Sequence, residues 1–281
     1  MSGLLLGGIY ALVSIGLTLI YGTMDIINFA HGSFLMLSMY MSFWLWRLLG
    51  FDPYLTLPLA TLTFFLIGWV VQRELIDRVL KAGLVSQLFI TFGLMMVLEN
   101  SALALWTVDT RNIRTAFSTM NVPWLKPMGI FILYPKLVAF IISLIVSAIL
   151  YLFLTRTFLG LAIRSTAQNK EVASIVGVNI RTIYALTFAI GIALVGIAGA
   201  LLSAYFPMTP YVGLLFLLPA FVVSVLGGLG NYAGAFFGGL IIGLVEVYAG
   251  FFYPQYKMLA YMAVFFIILL FRPYGLLGKE K

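Results

Sequence analysis

Nine apolar stretches, most of them near twenty residues long, recur along this chain, and no other feature narrows its possible folds so far. They fall at about residues 3–22, 29–49, 54–72, 84–106, 135–155, 182–206, 211–229, 233–251 and 257–272. A helix rises about 1.5 Å per residue, so about twenty residues cross the ~30 Å hydrocarbon core of a bilayer. The runs are continuous rather than alternating, and lipid offers no partner for backbone N–H and C=O groups. They therefore read as helices and not as barrel strands. With 63% hydrophobic and 9% charged residues and a mean hydropathy of +1.12, the composition is far from that of a soluble domain, where about a quarter of residues are charged. The expected fold class is all-α: one transmembrane domain over residues 1–281, a polytopic helical bundle of eight or nine membrane spans, with the Gly-rich pair near residue 230 the hardest to divide.

The first apolar run has neither a charged leader nor a small-residue cleavage site, so it reads as a retained span. The absence of cysteine excludes disulfides, thiolate metal sites and cysteine nucleophiles. The net charge of +7 would point to nucleic acid in a soluble protein. In a membrane protein it reflects the basic residues of cytoplasmic loops, and no nucleic-acid partner is expected. Arg73–Lys81, Arg156–Arg181 and Arg272–Lys281 together hold 10 of the 16 basic residues, and alternating spans bring all three to one side, taken as the cytoplasm. The loop at about 107–134 is then external, although Arg111, Arg114, Lys126 and Lys136 also lie around it. Its Pro123, Trp124 and Pro127 point to an ordered segment touching the interface.

Inside the first fifty residues there is one polar interruption, Tyr21–Ser33, which contains the only histidine of the chain. Gly22 and Gly32 permit close backbone approach, and Asn28 favours caps and turns. Asp25, Asn28 and His31 supply donors and acceptors three residues apart, one stripe if the segment is helical. A broken helix is expected near residues 22–32. Two roles fit it: a short loop with His31 merely hydrogen-bonded, or a lining of a transport path, because many transporters bind solute where a helix breaks near the midplane. Ile-Tyr-Ala-Leu at Ile9–Leu12 returns at Ile183–Leu186, a faint echo of two repeated halves.

In the loop at about 156–181, Thr166, Gln168 and Asn169 precede Lys170–Val176, which has Val172, Ile175 and Val176 on one apolar stripe and Gly177 where a helix-ending glycine belongs. Such a short amphipathic helix needs cover for its apolar face, from the membrane surface, its own bundle or a partner. Glu99 and Glu246 sit within apolar runs, where a charge costs roughly 2.5–3.5 kcal/mol or more. Each must face the interior, be protonated or find a partner, as a structural hydrogen bond or part of a proton relay. Gly227, Gly228, Gly230 and Gly234 lack the lysine and context of a phosphate loop, so close helix packing or a tight re-entrant turn explains them. No metal-ligand spacing and no nucleophile–base pair occurs, and the chain is not expected to be an enzyme by itself.

Several runs, taken together, resemble a known family. They are Tyr10-Ala11-Leu12, Gly16–Gly22, Ile27-Asn28-Phe29-Ala30-His31-Gly32, Leu159-Gly160, Arg164–Asn169, Val225–Gly230 with Gly234-Ala235 and Gly238-Gly239, and Arg272–Gly278. In this order they are similar to the smaller, LivH-type permease subunits of branched-chain amino acid ABC importers. Relatives often have Gly-Ala-Tyr at Ser38-Met39-Tyr40, and many carry lysine where Pro219 stands.

The resemblance implies a complex in the inner membrane of a prokaryote: a second permease subunit, two cytoplasmic ATP-binding subunits that hold ATP and Mg, and an extracytoplasmic solute-binding protein. No cofactor is then bound by this chain. It also implies that Tyr10, Asp25, Asn28, Phe29 and His31 line the path. Glu171, Ala173 and Gly177 match the Glu-Ala-Ala-x-x-x-Gly pattern of a helix that docks on the ATPase, with Val172 in the second position, and Arg164 in the preceding motif belongs with them. The solute implied is a branched-chain or related hydrophobic amino acid; permeases for urea, amides and other small solutes share the family. A rival from another class is an ion-coupled transporter or channel built on Glu99 and Glu246.

Overall fold

The computed structural model describes residues 1–80, 82–115, 117–123 and 131–278. Trp124 and Pro127, expected to order the long loop, lie outside the described residues. Eleven helices are described: α1 (Ser2–Met24), α2 (His31–Leu49), α3 (Leu57–Val79), α4 (Leu84–Trp106), α5 (Tyr134–Arg156), α6 (Phe158–Gln168), α7 (Lys170–Ile175), α8 (Ile180–Ser203), α9 (Val212–Gly227), α10 (Tyr232–Phe252) and α11 (Lys257–Phe271). Seven of the described helices or helix runs are long and apolar enough to cross a membrane; α9 is shorter, and α2 is interrupted by serines and an arginine. The chain is thus a polytopic helical bundle.

The boundaries expected from hydropathy differ from these mainly at two places. The third span continues past residue 72 through a π-helical turn, Gln72–Ile76, because the polar sequence Gln-Arg-Glu still forms helix at the membrane edge. The loop at 156–181 holds a second helix, α6, which has too few apolar residues to register as a span. Thr157 starts it by accepting a hydrogen bond from the Gly160 N–H.

The three basic segments meet at one end of the bundle. Arg181 Nε lies 2.6 Å from Asp77 Oδ2, and Arg164 and Gln168 of α6 share a cavity wall with Pro273 and Tyr274 of the tail. At the opposite end Arg111 and Met208 pair their backbones, and Tyr40 stacks on Trp106 with ring centroids 4.3 Å apart.

Small residues decide how closely the central helices approach. A Cβ on Gly16 of α1 would sit 2.7 Å from the Gly191 carbonyl oxygen of α8, and one on Gly191 would sit 2.9 Å from that of Gly16. Gly32 of α2 and Gly213 of α9 oppose each other in the same reciprocal way. Without a hydrophobic drive between helices in lipid, such backbone-to-backbone approach is a main source of association. Around these two crossings α1 packs on α10 and α8 packs on α3. The chain runs toward the basic end in α1 and away from it in α8. The sets α1–α3 and α8–α10 are therefore related as an inverted repeat, the arrangement echoed by Ile9–Leu12 and Ile183–Leu186.

Candidate functional site

The break after α1 carries the chain back into the bundle. Asp25 caps α1 in the left-handed conformation, φ 54°, with its N–H bonded to Tyr21 O at 2.8 Å. Residues 25–28 are irregular, and α2 begins at His31. His31 Nε2 donates to the Val13 carbonyl at 3.0 Å. Val13 lies eleven residues before the end of α1, about 16 Å along the helix axis at ~1.5 Å per residue. The N-terminus of α2 therefore sits about half a hydrocarbon thickness deep.

The segment is not helical, so Asp25, Asn28 and His31 do not form one stripe. Asn28 and His31 are fully buried, whereas Asp25 is exposed at the basic end. Phe29 points toward α4, edge-on to Phe92 with centroids 6.3 Å apart. Thr91 of α4 donates to the Ile27 carbonyl at 3.0 Å, which ties down one backbone acceptor of the irregular stretch. Tyr10 is buried elsewhere, toward the opposite end. Its hydroxyl donates to Glu246 Oε2 at 2.5 Å, and Lys257 Nζ lies 3.7 Å from Glu246 Oε1.

The buried centre is rich in polar groups with no partner in the protein. Both side-chain atoms of Asn28, His31 Nδ1 and the hydroxyls of Ser14, Thr18, Ser33 and Thr187 make no hydrogen bond among the described residues. Ser14 and Thr18 are one turn apart on α1, and Thr187 is one turn before Gly191 on the face of α8 that meets α1. An unsatisfied buried group costs about 1–3 kcal/mol, and a structure rarely tolerates several together without a use for them. Ser14, Thr18, Ser33 and Thr187 were not singled out from sequence. The i, i+4 hydroxyls of α1 were readable there, but their burial against α8 was not.

Glu99 is also buried, on the α4 face that carries Thr91, Met95 and Ala102, and it makes no hydrogen bond or ion pair among the described residues. Glu246 and Glu99 are separate sites, on α10 and α4.

At the basic end, α7 is capped by Asn169, whose Oδ1 accepts from the N–H groups of Glu171 and Val172, each at 3.0 Å. Gly177 follows with φ +89° and nothing within 4 Å of an added Cβ, so it serves backbone conformation rather than packing. Ala173 is buried, whereas Val172, Ile175 and Val176 are 55%, 84% and 72% exposed. Glu171 is exposed beside them. In the Gly-rich run, turning and packing fall to different glycines. Gly228 and Gly230 turn the chain at φ +97° and +87°, Gly227 meets Gly234 backbone to backbone, and Gly239 packs on Ala11.

A family model described as "Branched-chain amino acid transport system / permease component" matches residues 1–270. The chain belongs to this family. Among curated relatives of this permease, the high-affinity branched-chain amino acid transport system permease protein BraD of Pseudomonas aeruginosa is 34% identical over 298 residues, covering all of the chain and 95% of the relative. LivH of Salmonella typhimurium is 31% identical, with 100% and 94% covered. The probable LivH of Methanocaldococcus jannaschii is 27% identical, with 96% and 88% covered. No solved structure matches the permease. The departure at Ser38 has a packing reading: its Oγ donates to the Gly196 carbonyl at 2.5 Å, and its Cβ sits where a side chain on Gly199 would go.

Proposed function

We propose that this permease is one of two membrane subunits of an ATP-driven importer for branched-chain amino acids, working in the inner membrane of a prokaryote with two cytoplasmic ATPases and an extracytoplasmic binding protein. The observation that carries the reading is the α7 surface. A helix of six residues is too short to be stable alone, yet it and its C-cap Val176 present three large aliphatic side chains to solvent. Docking into a groove on an ATPase would cover them, and Glu171, Ala173 and Gly177 fit the pattern of such a helix. ATP and Mg would be held by those partners. The match, over the whole of this chain, to relatives named for branched-chain amino acid transport supports the solute.

In this reading the stretch holding Asn28, Phe29 and His31 is the gate of the path. The unpartnered groups around Asn28 and His31 would meet water or solute when the bundle opens, and they are neutral polar groups that suit a solute without net charge. ATP binding would move α7, and α6 would pass the motion to the α1–α9 contact. The ion-coupled alternative is weakened by Glu246, which is held by Tyr10 and Lys257. The test is leucine uptake into proteoliposomes carrying the complex, its binding protein outside and ATP inside. Uptake that requires ATP is expected. Equal uptake by this chain alone under an ion gradient would overturn the proposal.

A further inference from the structure

We propose that a cavity at the basic end of the bundle is a binding site for a zwitterionic α-amino acid, Arg164 receiving its carboxylate and Asp25 its ammonium group. The cavity has a volume of about 680 Å³ and lies between the end of α1, α6, the turn at 228–231 and the C-terminal tail. That is within the ~300–1,000 Å³ typical of small-molecule sites.

Both opposite charges line this one space, yet no ion pair within 4.0 Å joins them, and neither side chain makes a hydrogen bond or ion pair among the described residues. Arg164 Nε is buried without a partner. A guanidinium is a planar fork matched to a carboxylate and cannot shed its charge, so its natural complement here comes from outside the chain. Asp25 stands at the α1 cap, its backbone left-handed and its N–H bonded to the Tyr21 carbonyl.

Helix ends add to the same polarity. Tyr21, Gly22 and Asp25 bring the carbonyl end of α1 to the cavity, which favours a cation; Asn231, Tyr232 and Ala233 bring the N-terminal end of α10, which favours an anion. The two ends approach closely, for a Cβ on Gly22 would sit 2.6 Å from Gly230 Cα. Adjacent poles of opposite sign suit a zwitterion better than a lone anion or cation. Val225 and Leu229 leave an apolar wall for the side chain of the ligand.

The position is informative as well. Asp25 is three residues from Asn28, so the two Cα atoms are at most about 10 Å apart. The cavity thus lies directly on the basic side of the sealed stretch and would hold a solute that has passed it.

The choice of an amino acid rests on the transport reading above, and the experiment separates the two. The complex, purified with the subunits that accompany it and placed in nanodiscs without binding protein, is titrated with radiolabelled leucine. Leucinamide, which lacks the carboxylate, and 4-methylpentanoate, which lacks the ammonium group, are the competitors. Saturable leucine binding is expected, with both competitors at least tenfold weaker. Arg164→Gln and Asp25→Asn should each weaken leucine at least tenfold, and Arg164→Lys should recover part of the loss.

Competitors as good as leucine, or wild-type affinity in both variants, would overturn the site. The competition uses the unmodified complex and so can overturn the site even if a variant fails to fold. ATP-driven leucine uptake alongside unaffected variants sinks the cavity alone. No amino acid uptake, with charge-selective binding intact, sinks the transport reading and leaves the site standing.

Discussion

His31 Nε2 lies 3.0 Å from the carbonyl oxygen of Val13, a bond that joins the first residue of α2 to the middle of α1 and closes the bundle around Asn28. His31→Ala removes this bond and the ring that fills the space beside Gly16. Asn28→Ala removes two unpaired polar atoms from a buried position and should leave the fold at least as stable. Both are expected to lower ATP-driven uptake at least tenfold, with Asn28→Ala keeping a wild-type melting temperature. Uptake and ATPase coupling unchanged in both variants would remove this stretch from the path.

Val172→Asp with Ile175→Asp puts two carboxylates on the exposed face of α7 while leaving the buried Ala173 in place. Co-purification of the ATPases should fall at least tenfold with the melting temperature of the permease unchanged. Retention of ATPase and of its stimulation would argue that α7 lies on the membrane surface instead.

Gly32 and Gly213 leave no room for a Cβ, because each faces the backbone of the other. Gly32→Ala must push α2 and α9 apart, and overpacking of this kind costs typically about 1–3 kcal/mol. Gly93→Ala on α4 is the control, since nothing lies within 4 Å of its added Cβ. Thermal unfolding in detergent should show a loss for the first and none for the second; equal melting temperatures would mean that Gly32 and Gly213 do not hold α2 and α9 in backbone contact.

Tyr10→Phe leaves Glu246 with Lys257 as its only partner among the described residues. A hydrogen bond to a charged group contributes about 1.5–3 kcal/mol, and the Glu246 side chain is only 12% exposed, so screening by water is limited. In a double-mutant cycle with Glu246→Gln, the two losses should be less than additive by about 1 kcal/mol or more. Additive losses would show that the pair carries no coupling of its own.

Hydropathy located the crossings because burial in lipid acts on every residue of a span, and the runs at 84–106 and 257–272 correspond almost residue for residue to α4 and α11. The cap at Asn169 and the glycine at 177 were equally readable, since capping is decided within a few residues. Three-residue spacing failed at Asp25: it assumes a helix, and the chain leaves the helix at that residue. Tyr10 was grouped with the path by family likeness, whereas its hydroxyl is taken by a carboxylate 236 residues away.

The sequence by itself determined what this chain is made of: apolar runs of bilayer length, a break between Tyr21 and Ser33, a short capped helix ending at Gly177, and a set of family motifs. These are local properties, settled by helix geometry, solvation and the identity of neighbouring residues. Only the tertiary structure decided that the break re-enters to the depth of Val13, that Gly16 meets Gly191 and Gly32 meets Gly213 across an inverted repeat, and that Asp25 and Arg164 face one cavity. Such pairings join segments far apart in sequence, and they depend on which glycine faces which backbone, a relation that no periodicity along one segment contains.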